Sequence, residues 1–108
     1  MTDSVLWVYV TAADTEEATE IGRALVREGL AACVNIMPGH TAIYRDEGVL
    51  REAEEVAFVA KTTAAQFEPL RARIRALHSY EVPAIMALPA ADGDAAFLDW
   101  IRAAVAAA

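Results

Sequence analysis

The sequence predicts an α+β fold in which crossover helices pack on a single antiparallel sheet. Three observations carry that expectation. Periodicity and turn residues read along the chain as β-α-β-β-α-β-α. Pro38 and Pro83 fall in the second and fourth strands, and proline is tolerated mainly at sheet edges. Hydrophobic residues make up 56% of the chain, more than one buried sheet face requires.

Taken in order, the first strand runs from Val5 to Ala12 and is rich in Val, Trp and Tyr. Asp14 and Thr15 provide a cap for a helix with Glu16 and Glu17 in its first turn, where the helix dipole favours negative charge. Ala18, Ile21 and Leu25 form its core stripe, and Gly29 ends it in a left-handed conformation. A second strand spans Ala32 to Met37, is interrupted at Pro38-Gly39 by a bend or bulge, and resumes from Ala42 to Tyr44. Asp46-Glu47-Gly48 reads as the turn of a long hairpin whose return strand is Glu55 to Thr62. Thr63 to Gln66 has the form of a capping box, and Phe67, Leu70, Ile74 and Leu77 follow at helical spacing, with Pro69 pushing the helix start later. The fourth strand is Val82 to Leu88. Asp92-Gly93-Asp94 then turns the chain into a last helix with Leu98, Ile101 and Val105 on one stripe, flanked by Phe97 and Trp100. No linker or repeat divides the chain, so residues 1–108 read as a single domain. Right-handed crossovers make this the ferredoxin-like split βαβ sandwich with an extra C-terminal helix, strands one and three central and two and four at the edges.

The strand faces predict more than a monomer. The first strand offers Leu6, Val8 and Val10 on one side and Val5, Trp7 and Tyr9 on the other; the third and fourth are likewise apolar on both sides. The crossover helices cover only one face. The short final helix hides part of the other, and a bare apolar face of that width exceeds what monomers usually tolerate; the competing reading is a monomer with that helix folded over the sheet. A homo-oligomer with sheets packed together, helped by edge strand two pairing with a neighbour, is therefore expected.

Charge and composition remove several classes of function. With 16 acidic and 9 basic residues the formal charge is −7, which gives no electrostatic support to nucleic-acid or anionic-membrane partners. Cys33 is the only cysteine, so neither an intrachain disulfide nor a Cys-x-x-Cys metal loop is available, and a reducing, cytoplasmic setting is expected. The N-terminal apolar run, Val5 to Val10, is too short for a signal peptide or a membrane span. Phosphate-binding glycine loops are absent, and no cysteine or serine stands with a histidine in a nucleophilic arrangement.

Ala31-Ala-Cys-Val-Asn-Ile-Met-Pro-Gly39, Tyr44-Arg45 with Gly48, Glu55 leading to Lys61-Thr62, His78-Ser-Tyr-Glu-Val-Pro83 and Leu98-Asp99-Trp100 occur in an order and spacing that resemble the CutA divalent-cation tolerance family. The resemblance covers nearly the whole chain. It implies a ferredoxin-like subunit in a tight homotrimer, similar in architecture to the nitrogen-signalling PII proteins, and a link to tolerance of copper and other divalent metals. One departure is Asp46, which stands where the family commonly carries tryptophan after the Tyr-Arg pair.

Candidate metal ligands are Cys33, His78 and Glu81. A Cys33 thiolate is a soft donor suited to copper or zinc, and strand alternation puts Cys33, Asn35 and Met37 on one face; the competing reading is plain packing. His78 and Glu81 offer an imidazole and a carboxylate three residues apart, half of a metal site, which a neighbouring subunit's Glu55, Asp46 or His40 would complete; otherwise Tyr80 and Glu81 stabilise the turn. Lys61 pairs with Glu81 or with a bound anion. The leading expectation is a non-enzymatic trimer that binds a divalent ion, copper first, without needing it to fold. The alternative is a PII-like signalling or small-ligand module acting through intersubunit clefts or the hairpin tip, with Tyr44, Glu55, Lys61 and Tyr80 as cleft residues. A third reading, an enzyme using His78, Tyr80 and Glu81, ranks behind both.

Overall fold

Alternating apolar residues build the strands where the periodicity places them. The computed structural model describes residues 3–106, so Met1, Thr2 and the end of the alanine tail lie outside the described residues. The elements are β1 (Val5–Ala12), α1 (Thr15–Arg27), β2 (Cys33–Asp46), β3 (Val49–Thr63), a 3-10 turn (Ala64–Gln66), α2 (Phe67–Leu77), β4 (Ile85–Pro89) and α3 (Ala95–Ala106). They form one antiparallel sheet in the order β2-β3-β1-β4, with β1 and β3 central as expected.

The main core lies between the sheet and the two crossover helices. Val8 and Val10 of β1 and Phe58 and Ala60 of β3 meet Ile21 and Leu25 of α1 and Leu70 and Ile74 of α2, all fully buried. Local chemistry fixes the helix ends. The Asp14 carboxylate accepts from Glu17 N at 2.8 Å, and Gly29 takes φ 72 after α1, where a side chain would be strained. The capping box expected at Thr63 does not form, because the Thr63 side chain makes no cap bond. Asp3, far away in sequence, accepts from Ala65 N at 3.2 Å instead, and Ser4 O accepts from Ala64 N at 2.8 Å. Pro69 fits without strain because it is the third residue of α2, where no intrahelical N–H is needed.

Three strands differ in extent from their expected limits. The hairpin is longer: β2 runs through Pro38-Gly39 with a register shift between Met37 and His40, and β3 starts at Val49 rather than Glu55. Beyond the Ala12–Val56 pair, β2 and β3 have only each other, so they leave the sheet as a two-stranded arm. Its tip turns through Glu47 at φ 50 and Gly48 at φ 79, a conformation that suits a tight hairpin. Asp46 is paired there with Arg51 at 3.3 Å, and Ile43, Tyr44, Val49 and Leu50 are exposed along the arm. The fourth strand is shorter: it begins at Ile85, partner of Val10, and Val82 to Ala84 belong to the preceding loop, where Pro83 has no N–H to give a ladder.

Helix α3 packs on the opposite sheet face, against β3 and β1, and buries Ile101 and Val105. It covers only part of that face. Trp7 remains 49% exposed and Met86 65%, with Tyr9 and Leu88 also open. Phe58, enclosed on all sides at the centre of the main core, is the side chain the fold can least lose: Phe58→Ala is expected to reduce unfolding free energy by about 3–5 kcal/mol, read from urea denaturation midpoints.

Candidate functional site

After α2 ends at Leu77, the loop before β4 folds under the root of the arm and is held there by His78. The imidazole side chain is fully enclosed. Tyr80 N donates to Nδ1 at 3.0 Å, so Nδ1 carries no proton; Nε2 therefore carries one and donates it to the Thr11 carbonyl at 2.7 Å. This assignment follows from the hydrogen-bond partners. Glu17 of α1 secures the same corner, accepting from Ala13 N at 3.0 Å and from Ser79 N at 2.8 Å, with Oε1 4.0 Å from His78 Nδ1. Burial pushes the Glu17 carboxyl up, but hydrogen bonds from Ser79 and Ala13 together hold it below its usual range.

Tyr80 carries this anchorage across to the arm. Its ring lies 4.7 Å from that of His78, and its hydroxyl donates to Glu55 Oε2 at 3.4 Å. The other Glu55 oxygen is 3.2 Å from His40 Nε2, just past the bulge. Burial first, then the Glu55 and Glu17 charges, raise the Tyr80 phenol above its usual value and keep it protonated. Glu55 is only 13% exposed and stands in the wall of a cleft of about 460 Å³ between the arm and the loop. Thr11, Tyr44 and Tyr80 supply the other polar groups; Ala42, Ala53, Val82 and Ala84 make the walls apolar.

Of the residues expected to line a cleft between subunits, the structure brings Tyr44, Glu55 and Tyr80 together within one chain, but not Lys61. Lys61 lies six residues further along β3, about 20 Å away at ~3.3 Å per residue, with its ammonium 5.4 Å from the Phe97 ring centre rather than beside Glu81. Cys33 is the cross-strand partner of Lys61 and is half-buried, at the opposite end of the sheet from the His78 corner. Glu81 is exposed in the loop. The proposed ligands Cys33, His78 and Glu81 are thus not gathered within one chain, and among the described residues no three His, Cys, Asp or Glu side chains converge. His78 already spends both nitrogens on backbone groups. His40, named as a donor from a neighbour, pairs with Glu55 of its own chain. Glu17 is the contributor that local patterning missed: its position signals a helix start, whereas its partner Ser79 is distant in sequence.

Residues 6–104 match the family profile described as CutA1 divalent ion tolerance protein. The chain belongs to the CutA1 family. It is 50% identical over 95 residues to the divalent-cation tolerance protein CutA of Thermus thermophilus, covering 88% of this chain and 92% of that protein. The solved structure titled divalent cation tolerance protein (Cut A1) from the same organism superposes with a TM-score of 0.90 at 47% identity, covering 92% of this chain and 96% of that one. The chloroplastic CutA of Arabidopsis thaliana is 38% identical over 95 residues, 88% of this chain and 52% of that longer protein. The ferredoxin-like α+β fold is therefore that of CutA. No helix among the described residues is long and apolar enough to cross a membrane.

In this CutA chain the Glu17 carboxylate links α1 to the cleft loop, and its depressed titration gives a signed prediction. A group lowered in the folded state stabilises fully above its unfolded value and loses that contribution as pH falls through its folded value. Glu17→Gln is expected to cost about 1–2 kcal/mol at neutral pH. The gap from wild type should close as pH drops below the ordinary carboxylate range, measured by denaturant unfolding across pH; a gap independent of pH contradicts the assignment.

Proposed function

We propose that this CutA chain acts as a homotrimer in divalent-cation tolerance, holding copper or another divalent ion with modest affinity and catalysing no reaction. The observation that carries the reading is the half-bare sheet: Trp7, Tyr9, Met86 and Leu88 lie open beside the part that α3 covers. The arm adds a second demand for a partner, since a two-stranded ribbon with exposed Ile43, Val49 and Leu50 is marginal alone. Three copies around a closed axis satisfy both, and the family resemblance implies that number.

The metal is cargo on this reading, met where subunits adjoin. Cys33 supplies the soft donor and Glu81 an exposed carboxylate from another chain, while His78 joins only by releasing Tyr80 N–H. A net charge of −7 favours cations at every surface without selecting a site. The cytoplasm is the compartment in which a free Cys33 stays reduced. A second reading, a PII-like small-ligand module, is favoured by one feature, the cleft between Tyr44, Glu55 and Tyr80.

Light scattering at micromolar concentration is expected to give three times the 11.6 kDa chain mass. A monomer overturns the assembly. Calorimetric titration with copper(II) in a non-coordinating buffer should saturate, and Cys33→Ala and Glu81→Gln should each weaken binding; titrations unchanged in both variants sink the ligand assignment.

A further inference from the structure

We propose that the cleft between the hairpin arm and the loop before β4 binds an organic cation, a primary ammonium or a guanidinium carried on a short apolar body. The inference deepens the small-ligand reading and rests on an assembly that leaves the cleft open. Charge is the first argument. Glu55 is largely withdrawn from water, yet its hydrogen-bonding neighbours in the chain are a phenol and the His40 imidazole, and no lysine or arginine lines the cleft. Arg51, across the ladder from Tyr44, is committed to Asp46. A carboxylate has about four acceptor positions, so the bonds from Tyr80 and His40 leave room for a further N–H donor.

The walls decide which cation. Tyr44 and Tyr80 present aromatic rings, which attract ammonium and guanidinium groups. Ala42, Ala53, Val82 and Ala84 suit an alkyl or similar body and offer a metal ion no side-chain donor. A bare divalent ion needs several anionic or imidazole ligands, and no such trio converges among the described residues. The Glu55 and Glu17 carboxylates, which add to burial in keeping the Tyr80 phenol protonated, favour a positive guest. At about 460 Å³ the cleft lies within the range of small-molecule sites.

The test uses the intact assembled protein and follows backbone and tyrosine ring resonances during titration with butylammonium chloride, with sodium butyrate and butanol as controls at equal ionic strength. Saturable shifts around Tyr44, Glu55 and Tyr80 are expected with butylammonium, at an affinity about tenfold above that of butanol, and none with butyrate. Glu55→Gln should remove the preference over butanol, and Tyr44→Leu, which leaves the His78 and Glu55 bonds in place, should reduce it. Equal response to butanol, unsaturable shifts or unchanged preference in both variants overturns the proposal. So does silence to all three probes, the result expected if a side chain of a second copy fills the cleft. Particle mass and copper binding measured on the same wild-type samples report separately on the trimer and on its metal.

Discussion

Water cannot be left against a sheet that is apolar on both sides, and most of the molecule follows from how the second side is covered. The crossover helices bury Val8, Val10, Phe58 and Ala60 on one face. On the other, α3 reaches β3 and the nearer part of β1 but stops short of Met86 and Leu88. The projecting arm extends the same problem past the end of the sheet, where Ile43 and Leu50 have no core of their own. Additional copies of the chain solve both at once, and the hydrophobic excess in the composition then has a place to go.

A second constraint organises the polar side of the fold. His78 accepts from the loop through Nδ1 and donates to β1 through Nε2, so a single neutral ring joins Tyr80 to Thr11. Glu17 ties α1 to the same corner, and Tyr80 passes the connection to Glu55 and so to the arm. The cleft wall is in this way built from four elements. Of the three residues most suggestive of metal chemistry in the sequence, His78 is the one this network uses structurally, and that is why it reads as a ligand from its type and as a brace from its bonds.

Much of the fold was legible before any coordinates because it rests on local rules. The limits of β1, the Asp14 cap, the Gly29 termination and the turn at Glu47-Gly48 depend on residues within a few positions of one another. The misplaced limits are those set by distant partners. Residues 49–54 look like a polar connection because alternation fails where there is no core beneath, yet pairing with β2 makes them strand. The 3-10 turn before α2 is capped by Asp3 and not by Thr63, a contact no local motif encodes. At the site, Tyr44, Glu55 and Tyr80 are legible as a group, and the distance of Lys61 from Glu55 follows from placing both on one extended strand, whereas Glu17 emerges only from its tertiary contact with Ser79.

Trp7 sits at the centre of the claim that the second face is covered, being 49% exposed in the isolated chain. Trp7 and Trp100 are the chain's two tryptophans, so Trp100→Phe leaves Trp7 as the single indole reporter. Acrylamide quenching of that variant at micromolar concentration measures the cover directly. The account predicts blue-shifted emission and weak quenching, turning red-shifted and freely quenched when the assembly is dissociated by denaturant; an indole already red-shifted and freely quenched in the native protein contradicts it.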